Sequence, residues 1–315
     1  MIIFENRASY ILYNIIMQTD KAKKIIVPAN VCPIVIATLL KAKKSIELVD
    51  INENNYHINA SKVIEMVSNS VESYDSILFV RTYGSNLNFN NFFNELKSIN
   101  NNFLIIDDKC LAIPELEPDF KKNVDATLFS TGYVKYVELG FGGYAFIKDD
   151  YPYSRISLSY VDTDHEQLTN HFREVINGKR DFEYKDTNWL DGNSPKMQLK
   201  KYHQTIAEQI EKVHLHKQKI NKVYSENLPP EIMMGDHYNN WRFNLLVDNK
   251  EVLLEKIFEQ DLFASSHYSP MNRFLKKNGF AVAEHVYSRV LNLFNDFRYD
   301  EEMAYKTAKI IQKNL

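Results

Sequence analysis

The hydrophobic residues between positions 24 and 148 fall into short apolar runs that alternate with amphipathic stretches. The apolar runs occupy residues 25–27, 46–49, 76–80, 103–106, 126–129 and 144–147. They contain few polar positions, which is typical of strands buried on both faces of a sheet. Residues 33–43, 59–69 and 88–99 have the spacing of helices with one apolar face. The pattern predicts an α/β fold in which helices cover both faces of a mainly parallel, mixed sheet.

The pattern changes after residue 150. Residues 164–177 and 196–227 have helical spacing, and the polar residues 178–195 between them predict a loop. Pro229 and Pro230 end the long second helix. A strand at 243–247 and helices at 251–260 and 301–313 predict a small α+β domain. We therefore expect a large domain in residues 1–178, followed by a connecting helix and a small domain in residues 179–315.

Composition narrows the class of protein. With 44 % hydrophobic residues over 315 positions, the chain can build a sizeable core. Its net charge of −3 lacks the basic excess of nucleic-acid-binding proteins, so we expect no nucleic-acid partner. The apolar run at 10–17 is too short to cross a bilayer and lacks the flanks of a signal peptide. Cys32 and Cys110 are too few for a disulfide framework and fit a reducing compartment, so we expect a cytoplasmic protein without a membrane partner.

Several common cofactor and catalytic motifs are missing from the sequence. The first predicted strand is followed by Pro28, Ala29 and Asn30 rather than by the GxGxxG of a dinucleotide site. Neither a P-loop nor the GxSxG elbow of a serine hydrolase occurs. The CxxC and HExxH spacings are also missing, so we expect no metal site.

A different set of residues follows the predicted strand ends. Asp107 and Asp108 end one strand, Ser130 and Lys135 follow another, and glycines come next at 140, 142 and 143. Pyridoxal 5′-phosphate (PLP) requires an acid for its pyridine nitrogen, a lysine for a Schiff base, a hydroxyl for its phosphate and closely packed backbone. Taken singly, these residues could be a solvated turn, a surface lysine and a plain hairpin. Parallel strand ends meet at one edge of a sheet, where Tyr83 also falls, so the joint placement favours a PLP site.

Six segments match, in order, segments of a known family. Residues 25–29, 49–59, 80–84, 106–108, 130–135 and 140–143 resemble its VIVPA, VDID…TYNID, VHLYG, IEDAAQ, SFYPTK and GTGEGG stretches. Residues 266–270 resemble the HYxPLH stretch of its small domain. The chain thus resembles the DegT/DnrJ/EryC1/StrS family of PLP-dependent sugar aminotransferases, which have the fold type I architecture of aspartate aminotransferase.

The resemblance implies a role for each matching residue. Lys135 is expected to form the Schiff base and to act as general acid–base, and Asp108 is expected to pair with the pyridine nitrogen. The implied cofactor contacts are Ser130, Arg7, Ala8, Cys32, Tyr83, Asp108, Lys135 and Asn193, and the implied substrate contacts are His267 and Tyr268.

The resemblance also implies a substrate and an assembly. The reaction is expected to be amino-group transfer to a nucleotide-linked keto-sugar, in surface-polysaccharide (lipopolysaccharide) or deoxysugar biosynthesis. Two subunits share each active site in this family, so a homodimer is implied. In that dimer a residue near Asp191 or Asn193 is expected to reach the phosphate bound by the partner.

The chain departs from the family pattern at three places. Leu111 replaces the glutamine of DAAQ, and Cys32 stands where an aromatic residue often stacks on the cofactor. The sequence also begins close to the phosphate loop, so we expect the family's usual N-terminal segment to be missing. Two alternatives stay open: a PLP enzyme of another type, such as a lyase, a dehydratase or an enzyme of amino-acid chemistry, and a diverged member without catalysis. Likewise, His267, Tyr268 and Arg273 could recognise an anionic or hydroxyl-rich substrate or be ordinary surface residues.

Overall fold

A seven-stranded sheet forms the centre of the chain in the computed structural model, which describes residues 1–19, 24–119 and 123–315. Its strands are β1 (Ile2–Glu5), β2 (Lys24–Pro28), β3 (Ser45–Val49), β4 (Ser76–Val80), β5 (Leu104–Asp108), β6 (Ala126–Ser130) and β7 (Gly143–Ile147). Their order across the sheet is β1-β7-β6-β5-β4-β2-β3. Strands β2 to β6 are parallel, while β7 and β1 are added as antiparallel partners at one edge. The predicted mainly parallel, mixed sheet is confirmed.

Helices cover both faces of this sheet. They are α1 (Ala8–Met17) and α2 (Pro33–Lys41) on one face, and α3 (Ala60–Asn69) and α4 (Asn90–Ile99) on the other. Strand β4 shows why both faces are apolar: Leu78 and Val80 pack with the first pair of helices, while Ile77 and Phe79 pack with the second. Successive side chains of a strand point to opposite faces, so a continuous apolar run is required.

The later part of the chain forms a second, smaller sheet with its own helices. It contains α5 (Asp162–Ile176), α6 (Leu199–Asn227), β8 (Phe243–Leu246), α7 (Lys250–Phe258), β9 (Ala264–Ser265), α8 (Asn272–Leu275), α9 (Ala281–Arg289), β10 (Val290–Leu293) and α10 (Glu301–Asn314). The small sheet is antiparallel, in the order β8-β10-β9, and α6 packs against α10. Residues 178–195 carry neither helix nor strand, as predicted. The two sheets lie on either side of the predicted domain boundary at 178, which stays a prediction.

Several elements depart from the sequence pattern. The sequence pattern does not predict strands β1, β9 and β10 or helices α1, α8 and α9. In β10 the buried polar residue Asn292 interrupts the apolar run. Its amide nitrogen donates to Asn244 Oδ1 at 2.7 Å, and its Oδ1 accepts from the backbone of His267 at 2.8 Å. A buried amide that is hydrogen-bonded in this way is tolerated in a strand, although a hydrophobic pattern does not reveal it.

In the part of the chain that the structure describes, none of the helices combines the length and the apolar composition needed to span a bilayer. The run at 10–17, which lies within α1, packs into the core beside the large sheet instead.

Candidate active site

A cavity of about 260 Å³ opens at the carboxyl ends of the parallel strands. Ligands of open parallel sheets bind at this edge. The cavity brings together the following residues from the sequence prediction: Arg7, Ala8, Cys32, Asp108, Ser130, Lys135 and Tyr268. They come from segments far apart in the chain, so the strand order has gathered them.

One end of the cavity is built to hold an anion. Arg7 directly precedes α1 and provides no side-chain cap, so the amide groups of Ala8 and Ser9 lack a carbonyl partner within the helix. A Cβ atom placed on Gly132 would lie 3.5 Å from Ser130 Oγ and 4.0 Å from Arg7 Nη1, so these groups lie around a common space. The buried Nε of Arg7 has no hydrogen-bond partner in the described residues. Orphan amides, a hydroxyl and a guanidinium fit a phosphate group.

The backbone approaches this end of the cavity as closely as the glycines suggested. Gly143 begins β7 and pairs with Glu5 of β1 on one side and with Ser130 of β6 on the other. A Cβ atom at Gly143 would lie 2.3 Å from the backbone nitrogen of Ala8. Only glycine therefore lets the start of α1 rest against the sheet at this point.

Asp191 closes the anion-binding end from the loop after α5. Its buried carboxylate accepts a hydrogen bond from the Asn6 side chain, and its Oδ2 lies 3.8 Å from Arg7 Nε. Its Oδ1 accepts from the backbone nitrogen of Asn193 at 3.0 Å, but the Asn193 residue is exposed and does not line the cavity. Asp191 thus contacts Arg7 of its own chain, and its expected role at a partner's phosphate stays a prediction. A partner role for Asn193 stays a prediction.

The two consecutive acids at the end of β5 have different surroundings. Asp107 is fully buried and forms a two-pronged ion pair with Arg81, at 2.8 Å to Nε and 2.9 Å to Nη2. Asp108 instead faces the cavity, and its Oδ1 accepts from the backbone nitrogen of Cys110 at 2.9 Å. Burial raises the pKa of Asp108, while the hydrogen bonds from Cys110 and the nearby charge of Lys135 oppose that rise. Asp108 is therefore the acid available to a ligand.

Lys135 projects its amine into the same space. The residue is half-buried, and its charge opposes the rise that burial causes in the pKa of Asp108 and of Cys32. Within residues 1–19, 24–119 and 123–315 its amine has no hydrogen bond and no ion pair. An amine without partners, placed near a carboxylate, is available for covalent chemistry and for proton transfer.

Other predicted residues lie outside the cavity lining. Tyr83 is buried in the turn Thr82–Gly84. It lies close enough to Tyr268 to contribute to the raised pKa of Tyr268. His267 is exposed, with its ring centre 5.6 Å from that of Trp241. Arg273 is exposed in a separate groove. Of the expected substrate contacts, Tyr268 alone lines the cavity, and its ring is stacked on Trp241 at 6.1 Å.

The cavity also contains residues that the sequence did not indicate. They are Ser9, Cys110, Tyr133, His165 and Trp189 among others. Burial raises the pKa of the Cys110 thiol, which hydrogen-bonds to Asp108, so both cysteines of the chain face the site as neutral thiols. Tyr133, which is 69 % exposed, stands at the cavity beside Lys135.

The family model that describes DegT/DnrJ/EryC1/StrS aminotransferases matches residues 8–311, nearly the whole chain. The chain belongs to this aminotransferase family. The family consists of PLP-dependent aminotransferases, so the predicted family and enzyme class are confirmed. The search of curated protein sequences gave no match.

Solved structures of other aminotransferases share the fold of this family member. The sugar aminotransferase CalS13 of Micromonospora echinospora superposes with a TM-score of 0.72 at 12 % identity, covering 100 % of this chain and 87 % of its own. Spr1654 of Streptococcus pneumoniae, in its PMP form, gives 0.71 at 13 % identity, with 100 % and 88 % covered. PseC of Helicobacter pylori, an aminotransferase of pseudoaminic acid biosynthesis, gives 0.69 at 15 % identity, with 99 % and 86 % covered. At these identities the likeness confirms the fold type I architecture.

Proposed function

We propose that this aminotransferase transfers an amino group to the keto group of a nucleotide-linked sugar, in the biosynthesis of a surface polysaccharide or a deoxysugar. The observation that carries the proposal is one cavity that holds the free amine of Lys135, the carboxylate of Asp108 and an anion-binding end. Membership of the family and the sugar aminotransferases among the structural neighbours support a sugar substrate.

The donor set of the cavity fits PLP. The amides at the start of α1, the Arg7 guanidinium and the Ser130 hydroxyl would hold the phosphate. Asp108 would accept a hydrogen bond from the protonated pyridine nitrogen and so keep that proton on the ring. Cys32 would contact the ring in place of the aromatic residue found in relatives. When bound, the cofactor supplies a carbonyl carbon and an electron-withdrawing ring.

The remaining chemistry belongs to the side chains of this chain. Lys135 Nζ would attach the cofactor and then carry a proton between the substrate carbon and the cofactor carbon. Asp108 would hold the ring proton throughout, because a buried carboxylate pairs strongly with a cation. Tyr268 would form the wall nearest the small sheet, and exposed Tyr133 would stand where the substrate enters.

A spectroscopic titration tests the proposal. The purified protein is loaded with PLP, and the visible band of lysine-bound cofactor is followed while glutamate and then nucleotide-linked keto-sugars are added. We expect glutamate to bleach the band and a keto-sugar to restore it. Lys135→Ala should lose the band, and borohydride should no longer fix the cofactor to the protein. Lys212→Ala, at an exposed position of α6, is the matched control and should behave as the wild type.

Each outcome separates the proposal from its alternatives. If the band forms at Lys135 but the protein then releases ammonia or another product, a lyase or dehydratase would be favoured. A protein that never acquires the band would favour a diverged member without catalysis. Fixation of the cofactor on a different lysine would show that the site is wrongly assigned.

We also propose a homodimer with the cavity close to the interface. The support comes from the implied family assembly and from Tyr133, a large aromatic residue that is 69 % exposed beside the cavity. Stable dimers of this kind bury about 2,000 Å² or more, so dissociation should require very low concentration. Analytical ultracentrifugation of the PLP-loaded protein tests this. A monomer that keeps its cofactor and turns over would rule out a shared site.

A further inference from the structure

The residue that precedes Lys135 has an unfavourable backbone conformation. Val134 has φ = 59°, in the left-handed region. A β-branched residue is a genuine outlier there, because its Cβ substituents crowd the backbone. Such strain persists only where the surroundings hold it, and it is concentrated at functional sites. The strained residue directly precedes Lys135, whose amine carries the chemistry in the proposed function.

Both polar groups of Val134 are held by hydrogen bonds. Its backbone nitrogen donates to Glu138 Oε2 at 3.0 Å. Its carbonyl oxygen accepts from the indole nitrogen of Trp241 at 2.8 Å. This carbonyl belongs to the peptide plane shared by Val134 and Lys135, so the indole fixes the plane from which the lysine side chain departs.

A charged network anchors the glutamate side of this arrangement. Arg298 donates from Nη2 to Glu138 Oε1 at 2.5 Å and from Nη1 to Asp296 Oδ2 at 2.9 Å. The same carboxylate of Asp296 is paired with the buried Arg242. The lysine loop is thereby tied to residues that follow α6 and β10, at the small sheet.

Trp241, which provides the indole, is itself held in place by hydrogen bonds and ring stacking. Trp241 is buried, and its own carbonyl accepts from Lys217 Nζ at 2.9 Å. The buried Lys217 also donates to Asn295 Oδ1 at 2.7 Å. The Trp241 ring stacks on Tyr268, which lines the cavity. One side chain therefore contacts both the lysine backbone and the wall formed by the small sheet.

We infer that Trp241 is a positioning residue that holds Val134 in its left-handed conformation and thereby aims Lys135 into the cavity. The inference rests on the proposed function for the role of Lys135, but the backbone arrangement itself does not. If the indole nitrogen is removed, Val134 should relax towards a negative φ, and the peptide plane before Lys135 should turn away.

Three variants test this inference: Trp241→Phe, Val134→Gly and the double variant. Phenylalanine keeps an aromatic ring but deletes the donor, whereas glycine reaches positive φ without steric cost. The rate at which PLP attaches to Lys135, trapped with borohydride and mapped by peptide mass spectrometry, should fall about fivefold to tenfold in W241F, as expected for one lost hydrogen bond. Val134→Gly should stay near the wild type, and the double variant should recover at least half of the loss on a logarithmic scale.

A second readout needs no cofactor. Hydrogen–deuterium exchange over residues 132–138 of the cofactor-free protein should accelerate in W241F and slow again in the double variant. Unchanged attachment and unchanged exchange in W241F would overturn the inference. The inference would also be overturned if W241F slowed attachment or accelerated exchange and glycine at 134 did not reduce these changes. Trp241 would then only support the core. If the wild type never attaches PLP at Lys135, the proposed function fails, while the exchange measurement still decides the positioning role.

Discussion

The contact between Gly143 and the start of α1 gives the sharpest prediction for this fold. In Gly143→Ala, the new Cβ would lie 2.3, 2.5 and 2.7 Å from the nitrogen, Cα and Cβ of Ala8. These distances are about 1 Å shorter than the ~3.5 Å at which non-bonded heavy atoms settle. The neighbours are backbone and Cβ atoms, which cannot rotate away, so β7 and α1 must separate. Overpacking costs about 1–3 kcal/mol, and we expect the upper end of this range for the free energy of unfolding.

The same displacement should damage ligand binding. The start of α1 carries the orphan amides and Arg7, so a shift there opens the anion-binding end of the cavity. Urea unfolding of the cofactor-free protein measures the first effect, and a PLP titration measures the second. Gly132→Ala is the matched stability control, because its Cβ has no neighbour closer than 3.5 Å and its φ is ordinary. A Gly143→Ala protein that unfolds and binds PLP like the wild type would refute the reasoning.

Three further variants address buried charge. Cofactor-free Asp108→Asn should be more stable than the wild type near neutral pH, because burial raises the pKa of Asp108 and its ionised form destabilises the fold. Urea unfolding should show that this difference in the free energy of unfolding vanishes below about pH 4, where the carboxyl is protonated in both the folded and the unfolded state. Asp107→Ala should lower the free energy of unfolding by about 3–5 kcal/mol, since it leaves the buried Arg81 unpaired, and a loss under 1 kcal/mol would contradict this. Burial lowers the pKa of Lys217 to about 7, so the wild type should gain stability relative to Lys217→Met as pH rises from about 7 to 10.

The main sheet was predictable from the sequence because its strands carry a strong local signal. Strands β2, β4 and β5 are buried on both faces, and each contains an apolar run of at least three residues. Strand β1 has four residues and ends in the buried acid Glu5, so its run is too short to recognise. Strand β10 contains Asn292, whose amide is satisfied only by contacts distant in sequence. The failures therefore occur where tertiary hydrogen bonds replace hydrophobic patterning.

The residues of the candidate site also divide into those that the sequence could predict and those that it could not. Asp108, Ser130 and Lys135 could be found because they follow strand ends, and the sheet brings strand ends together. Asp191 and Trp241 reach the site through loops and the small sheet. Their neighbours in the sequence carry no pattern that specifies such contacts, so packing across the whole fold determines them. Sequence spacing thus identified the chemical groups but not the residues that position them.

The acid pair at the end of β5 shows how an elementary rule separates a structural residue from a functional one. Residues along β5 alternate between the two cores: Leu104 and Ile106 pack with α1 and α2, and Ile105 packs with α3 and α4. The same alternation turns Asp107 towards Arg81 and Asp108 towards the cavity. The charge of Asp107 is paired with a cation inside the protein. Asp108 is therefore the carboxylate that remains to pair with a cationic ring. A one-residue shift in strand register would exchange these roles, so the register of β5 against β4 and β6 is itself part of the active site.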